Sequence, residues 1–177
     1  MPKATSRFEA ACAGASPQGK LVARDVGVRG ETTVTTFPSF PPMLLGDPSW
    51  EPDGVHVDAF VREGMMGGIS RFDTSARNQQ SGATCKDVAP MQSSAVQVDR
   101  TGTLWFTDYT GSLTEVRRCA NGTSSVAFTV GSRQPQDLAV SADGSVLLTD
   151  VSGKLWRWSG GSPVQLHPSV PMTDVSW

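Results

Sequence analysis

Residues 101–113 read TGTLWFTDYTGSL, and residues 143–155, 42 positions on, read DGSVLLTDVSGKL. Both stretches open on a turn glycine, Gly102 or Gly144. A run of aliphatic and aromatic residues follows, LWF or VLL, and then Thr-Asp. A second turn glycine, Gly111 or Gly153, comes next. Each stretch therefore reads as strand, tight turn, strand. Upstream, Val96 and Val98, like Leu138 and Val140, alternate with smaller or polar residues, as a half-buried strand does. The intervening DRTG (99–102) and SADG (141–144) supply a side chain that bonds the backbone and a glycine free to take positive φ. The third strands are expected in SLTEVRR (112–118) and KLWRW (154–158), with Leu113 and Leu155 as equivalents. SSVAFTV (124–130) and SPVQLH (162–167) read as fourth strands.

The unit extends beyond this pair. SPQGKLVARD (16–25) and EPDGVHVDAF (51–60) align on Gly19 and Gly54, so the four glycines lie 35, 48 and 42 residues apart. No segment keeps a helical apolar period. Four antiparallel strands per roughly 42 residues is the size of a β-propeller blade. The expected fold is all-β: one domain, 1–177, of units at about 6–39, 42–92, 94–135 and 136–171. TDVSW (173–177) reads as the start of a further strand, which makes a partial propeller the preferred architecture. A closed four-blade ring, in which TDVSW completes the first blade, is the alternative.

Composition narrows the function classes. The chain has 177 residues, 15 Lys+Arg against 17 Asp+Glu and a net charge of −2, so it lacks the basic footprint of a nucleic-acid binder. No apolar run reaches the length of a membrane span. The basic N-terminus MPKATSRFEA has no apolar core of a secretory signal, which favours a cytoplasmic location unless the chain begins further upstream. Three cysteines, Cys12, Cys85 and Cys119, are too few for a disulfide framework, although one Cys85–Cys119 bridge could span the intervening hairpin. Asn121-Gly122-Thr123 matches a glycosylation sequon.

PQDLAVSADGSVLLTD (135–150) resembles the blades of NHL-type and SMP-30/gluconolactonase-type propellers. DRTGTLWFTDYTGSLTEVRR (99–118) resembles the virginiamycin B lyase-like, or streptogramin lyase-like, group, whose blades carry D-G-x-L-W-F-T-E … I-x-R-I. The resemblance covers 94–160 well and 16–72 weakly. It implies a propeller that either binds partners or works as a metal-dependent lyase or lactone hydrolase. Lyases of the group are expected to use a histidine and a magnesium-binding carboxylate from late blades, yet TDVSGKLWRW (149–158) has no histidine. The hydrolases hold a divalent metal with a Glu, Asn and Asp set, and this chain has only Asn78 and Asn121. Neither catalytic set transfers to these residues. The WD40 pattern is absent, as is the Asp-box of sialidases.

The candidate site residues follow from the repeat. Asp25, Asp108 and Asp150 share one position, six residues after the glycine. A carboxylate there caps the next turn or, ringed with its equivalents about the axial channel, binds Mg²⁺ or Ca²⁺. His56 and Asp58 share a sheet face by alternation and can form an imidazole–carboxylate pair. Trp105, Trp156 and Trp158 pack between blades or stack on a glycan. No cofactor is demanded by any motif. The leading function is a binding or interaction module for a protein, a small polar ligand or a glycan. The alternatives are the metal-dependent enzyme and a lectin-like propeller.

Overall fold

The computed structural model describes residues 7–9, 20–24, 31–36, 43–45, 48–63, 66–75, 80–85, 95–131, 134–167 and 175. Every regular element among them is a β-strand. Four antiparallel sheets follow one another along the chain. The first joins β1 (Arg7–Glu9), β2 (Lys20–Arg24) and β3 (Glu31–Thr36) in that order. In the second, β6 (His56–Glu63), β7 (Met66–Asp73) and β8 (Gln80–Cys85) are adjacent, and β4 (Met43–Leu45) and β5 (Ser49–Trp50) both pair with β6. The third runs β9 (Val96–Val98), β10 (Leu104–Tyr109), β11 (Thr114–Ala120), β12 (Thr123–Val130). The fourth runs β13 (Pro135–Val140), β14 (Val146–Asp150), β15 (Leu155–Trp158), β16 (Val164–His167). Sequential strands paired as a meander are the make-up of a propeller blade.

Alternation along β10 gives the third sheet two buried faces. Leu104 and Phe106 pack with Phe60, Ile69 and Cys85 of the preceding sheet. Trp105 points the other way and packs with Leu138, Val146 and Leu148 of the following one. Face-to-face packing of sheets buries Phe106, Val146 and Leu148 completely. Cys85 and Cys119 lie in one core cluster, and neither forms a disulfide.

The first strands of successive sheets are stitched by one repeated bond. Ser49 Oγ accepts the Val98 N–H at 2.8 Å, and Gln97 Oε1 accepts the Val140 N–H at 2.6 Å. Asp137 Oδ2 accepts the Val175 N–H at 2.7 Å, so Val175 takes the place that Val98 and Val140 take one sheet earlier. A polar side chain on β5, β9 and β13 thereby satisfies a backbone donor one repeat further on.

The two repeated hairpins differ in register, which corrects the expected equivalence of Leu113 and Leu155. Thr107 pairs with Val116, whereas Thr149, its counterpart, pairs with Leu155. The β10–β11 hairpin is therefore three residues longer. Leu113 falls in its turn and is 45% exposed, while Leu155 is on a strand and 8% exposed. The β11–β12 turn has positive φ at both Asn121 (54°) and Gly122 (76°), the backbone that an Asn-Gly pair tolerates best.

Candidate functional site

The turns joining first to second strands are built alike. Gly54 donates to the Glu51 carbonyl at 3.1 Å, Gly102 to that of Asp99 at 3.0 Å and Gly144 to that of Ser141 at 3.1 Å. Each glycine has positive φ: 69°, 81° and 80°. The turns then close with Glu51 N–H on His56 O, Asp99 N–H on Thr103 O and Ser141 N–H on Ser145 O. The first turn holds one residue more, Val55. That insertion moves Asp58 into the place that Trp105 occupies one sheet later.

The difference turns an ordinary turn into a charged network. In the third sheet Asp99 Oδ1 accepts the N–H groups of Thr101 (2.8 Å) and Thr103 (3.0 Å), and its Oδ2 accepts the Trp105 indole N–H at 2.9 Å. Burial alone would raise the Asp99 pKa, but the Thr101 hydroxyl bond to Oδ1 (2.6 Å) and then these bonds together outweigh it and leave the carboxyl below its ordinary value. In the second sheet the equivalent pair is Glu51 and Asp58, two acids buried side by side. Arg71, opposite Asp58 on β7, donates Nε–H to Asp58 Oδ1 at 3.2 Å and Nη2–H to Glu51 Oε1. Burial first, and then the hydrogen bond to Asp58 and its charge, raise the Glu51 carboxyl to about 7, against the pull of Arg71. Glu51 lies against the next sheet's turn, for a Cβ built on Gly102 would sit 4.0 Å from Glu51 Oε2.

The carboxylate partner of His56 is not Asp58. His56 Nδ1 meets Asp53 Oδ2 at 2.6 Å, and Asp53 Oδ1 accepts the N–H groups of Val55 (2.8 Å) and His56 (2.9 Å). Backbone and side-chain bonds from His56, aided by Val55, hold Asp53 down at about 2. His56 and Asp58 stand two residues apart on β6 and so share a face. Asp53 outcompetes because it reaches the ring from within the turn. Glu51, Asp53 and Arg71 were missed by sequence reasoning. The signal available was EPDG (51–54), the one aligned turn that carries two acids.

The remaining candidates are placed elsewhere. Asp25 lies outside the described residues. Asp150 ends β14, and its Oδ1 accepts the N–H groups of Ser152 (2.9 Å) and Lys154 (3.1 Å) and the Ser152 hydroxyl (2.6 Å). Asp108, at the equivalent sequence position, stays within its longer hairpin and pairs across the strands with Glu115. Its turn is closed by others: Thr110 N–H donates to Leu113 O at 3.0 Å and the Tyr109 hydroxyl to Gly111 O at 2.6 Å. Both aspartates are on second strands, one strand away from the first strands β9 and β13. Trp105, Trp156 and Trp158 all meet between the third and fourth sheets. Trp158 stacks on Phe128 with centroids 5.1 Å apart and lies 6.1 Å from Trp105. Among the described residues no group of three or more His, Cys, Asp and Glu side chains is placed to hold a metal. No described helix is long and apolar enough to cross a membrane.

No protein-family model matches the chain, and no curated protein matches it in sequence. Solved structures do match. TolB from Acinetobacter baumannii superposes with a TM-score of 0.68 at 19% identity, over 88% of this chain and 39% of that one. Virginiamycin B lyase from Staphylococcus aureus gives 0.54 at 14% identity, over 93% and 55%. A gluconolactonase from Xanthomonas campestris gives 0.54 at 18% identity, over 86% and 59%. The chain spans between about two fifths and three fifths of the length of these proteins. Identities this low carry the fold and leave the activity open. The sheets, their meander order and these likenesses together make the fold that of β-propeller blades.

Proposed function

We propose that this chain is a propeller recognition module whose contact surface is the end formed by the turns 51–56 and 99–103. The observation that carries the reading is the network of Glu51, Asp53, His56, Asp58 and Arg71. Asp58 is fully buried and Glu51 nearly so, while the Arg71 and His56 side chains are each 34% exposed. Buried Glu51 and Asp58 anchor the guanidinium, the exposed Asp53 holds the imidazole, and the outer faces of both remain in solvent. Fixed donors of this kind suit the carboxylate or carbonyl oxygens of a protein partner or a small polar ligand. The tryptophans play no part in it, because they are spent on packing between sheets.

A metal-dependent lyase or lactone hydrolase is the second reading. Glu51, which titrates near neutrality beside the His56–Asp53 pair, favours it, since a carboxyl at about 7 is suited to proton transfer. One experiment separates the two. The purified chain is immobilised and probed with cell extract, and an aldonolactone assay is run with and without Mg²⁺. The recognition reading predicts a specific captured species that is lost on Arg71→Ala, with an unchanged fold by circular dichroism. Chelator-sensitive turnover that is lost on Glu51→Gln would replace it with the enzyme.

A further inference from the structure

The other end of the third sheet holds a polar corner that none of the above uses. Asp108 and Glu115 are direct cross-strand partners on β10 and β11, so their side chains leave the same face next to one another. Two carboxylates so placed repel unless a cation sits between them. Arg117 answers only one of the two: its guanidinium pairs with Glu115, and none of its hydrogen bonds goes to Asp108. Its Nη1–H goes to Glu115 Oε2 at 2.8 Å, and its Nη2–H and Nε–H go to Ser124 Oγ at 2.8 and 3.3 Å. Asp108 is only 7% exposed, and its Oδ1 is buried with no hydrogen-bond partner. A buried, unsatisfied carboxylate oxygen calls for a cause, of which an ion is one. Phe106, fully buried on the same face, walls the inner side, while Glu115 at 27% side-chain exposure forms an open rim.

We infer that Asp108 and Glu115 form a site for a divalent cation of the Mg²⁺ type, with Asp108 Oδ1 as the buried ligand and Glu115 as the ligand at the mouth. Mg²⁺ keeps several of its waters and is held by one or two carboxylates, which matches this donor count, whereas the six to eight oxygens that Ca²⁺ takes exceed it. The site differs from a ring of repeat aspartates, because Asp150 spends its carboxylate on its own turn.

Mn²⁺, which substitutes for Mg²⁺ and reports by electron paramagnetic resonance, is the probe. Titration of the intact chain is expected to show one bound Mn²⁺ that Mg²⁺ displaces. Asp108→Asn and Glu115→Gln should each weaken it by more than the roughly 10–100-fold typical of losing an outer-sphere partner. Mg²⁺ should raise the melting temperature of the wild type and not that of Asp108→Asn. Glu115→Gln, at a part-exposed position, keeps the test usable should Asp108→Asn fail to fold. Absence of Mn²⁺ binding at millimolar concentration would overturn the assignment, as would binding that survives both substitutions.

Discussion

The β10–β11 and β14–β15 hairpins begin on the same residues and finish differently. Both enter from a glycine of positive φ, both bury an apolar strand, and both reach Thr-Asp at the same distance. Beyond that point one hairpin holds three more residues than the other between the Thr and its cross-strand partner. The longer hairpin gives its turn to Tyr109 and Thr110 and leaves Asp108 inside the sheet opposite Glu115. The shorter one turns at Asp150, which becomes the cap. Equal spacing of turn glycines therefore fixes where a hairpin begins. It does not fix which residues pair, and a role assigned by repeat position is safe only on the near side of the turn.

The comparison can be broken by substitution. The largest effect is expected where the hairpins agree. Phe106→Ala should cost about 3–5 kcal/mol and Leu148→Ala about 2–5, because both side chains are fully buried. Denaturant melts that show only one of them to matter would mean that the two sheets are not equivalent. Next comes the pair that the sequence aligns and the structure separates. Leu155→Ala should cost about 2–5 kcal/mol, and Leu113→Ala should stay within about 0.5. Similar losses at both positions would restore the register that the glycines suggest. Smaller still, Gly111→Ala and Gly153→Ala, at φ of 91° and 78°, should each cost about 1 kcal/mol, since both turns use a left-handed residue whatever their register.

A second comparison, between turns 51–56 and 99–103, is read by pH. A carboxyl raised in the folded state holds its proton more tightly there than in the unfolded chain. Glu51 should therefore make the protein less stable as pH rises from about 4.5 to about 7, with no further change from this group above that. Asp53 acts in the opposite sense: its stabilisation is present above 3.8 and is lost as pH falls toward 2. Melting curves across pH 4–8 should flatten in Glu51→Gln. An unchanged slope would remove Glu51 as its source.

What was legible in the chain was whatever is local. Strand alternation at Val96, Val98, Leu138 and Val140, and the DRTG and SADG turns, specify the blade, because each depends on residues within a few positions. The candidate site was only half legible. His56 and Asp58 were found by alternation, but the Val55 insertion that directs Asp58 toward Arg71 changes register without changing composition. Arg71 lies 13 residues from Asp58 and 20 from Glu51, and no local pattern joins them. The tryptophans were ambiguous for the same reason. An aromatic residue on a strand looks alike whether it faces a ligand or the next sheet, and only sheet-to-sheet packing puts Trp158 on Phe128.

The most direct test of the claim that position in the repeat does not set the role is a matched pair of substitutions in metal-free buffer, Asp150→Asn and Asp108→Asn, each followed by chemical denaturation. Asp150→Asn should lose about 1–2 kcal/mol, because it weakens bonds to the Ser152 and Lys154 N–H groups. Asp108→Asn should leave stability unchanged or raise it, because it removes the charge of a buried carboxylate whose Oδ1 accepts no hydrogen bond. Equal destabilisation by the two would contradict the account and make both aspartates turn caps after all.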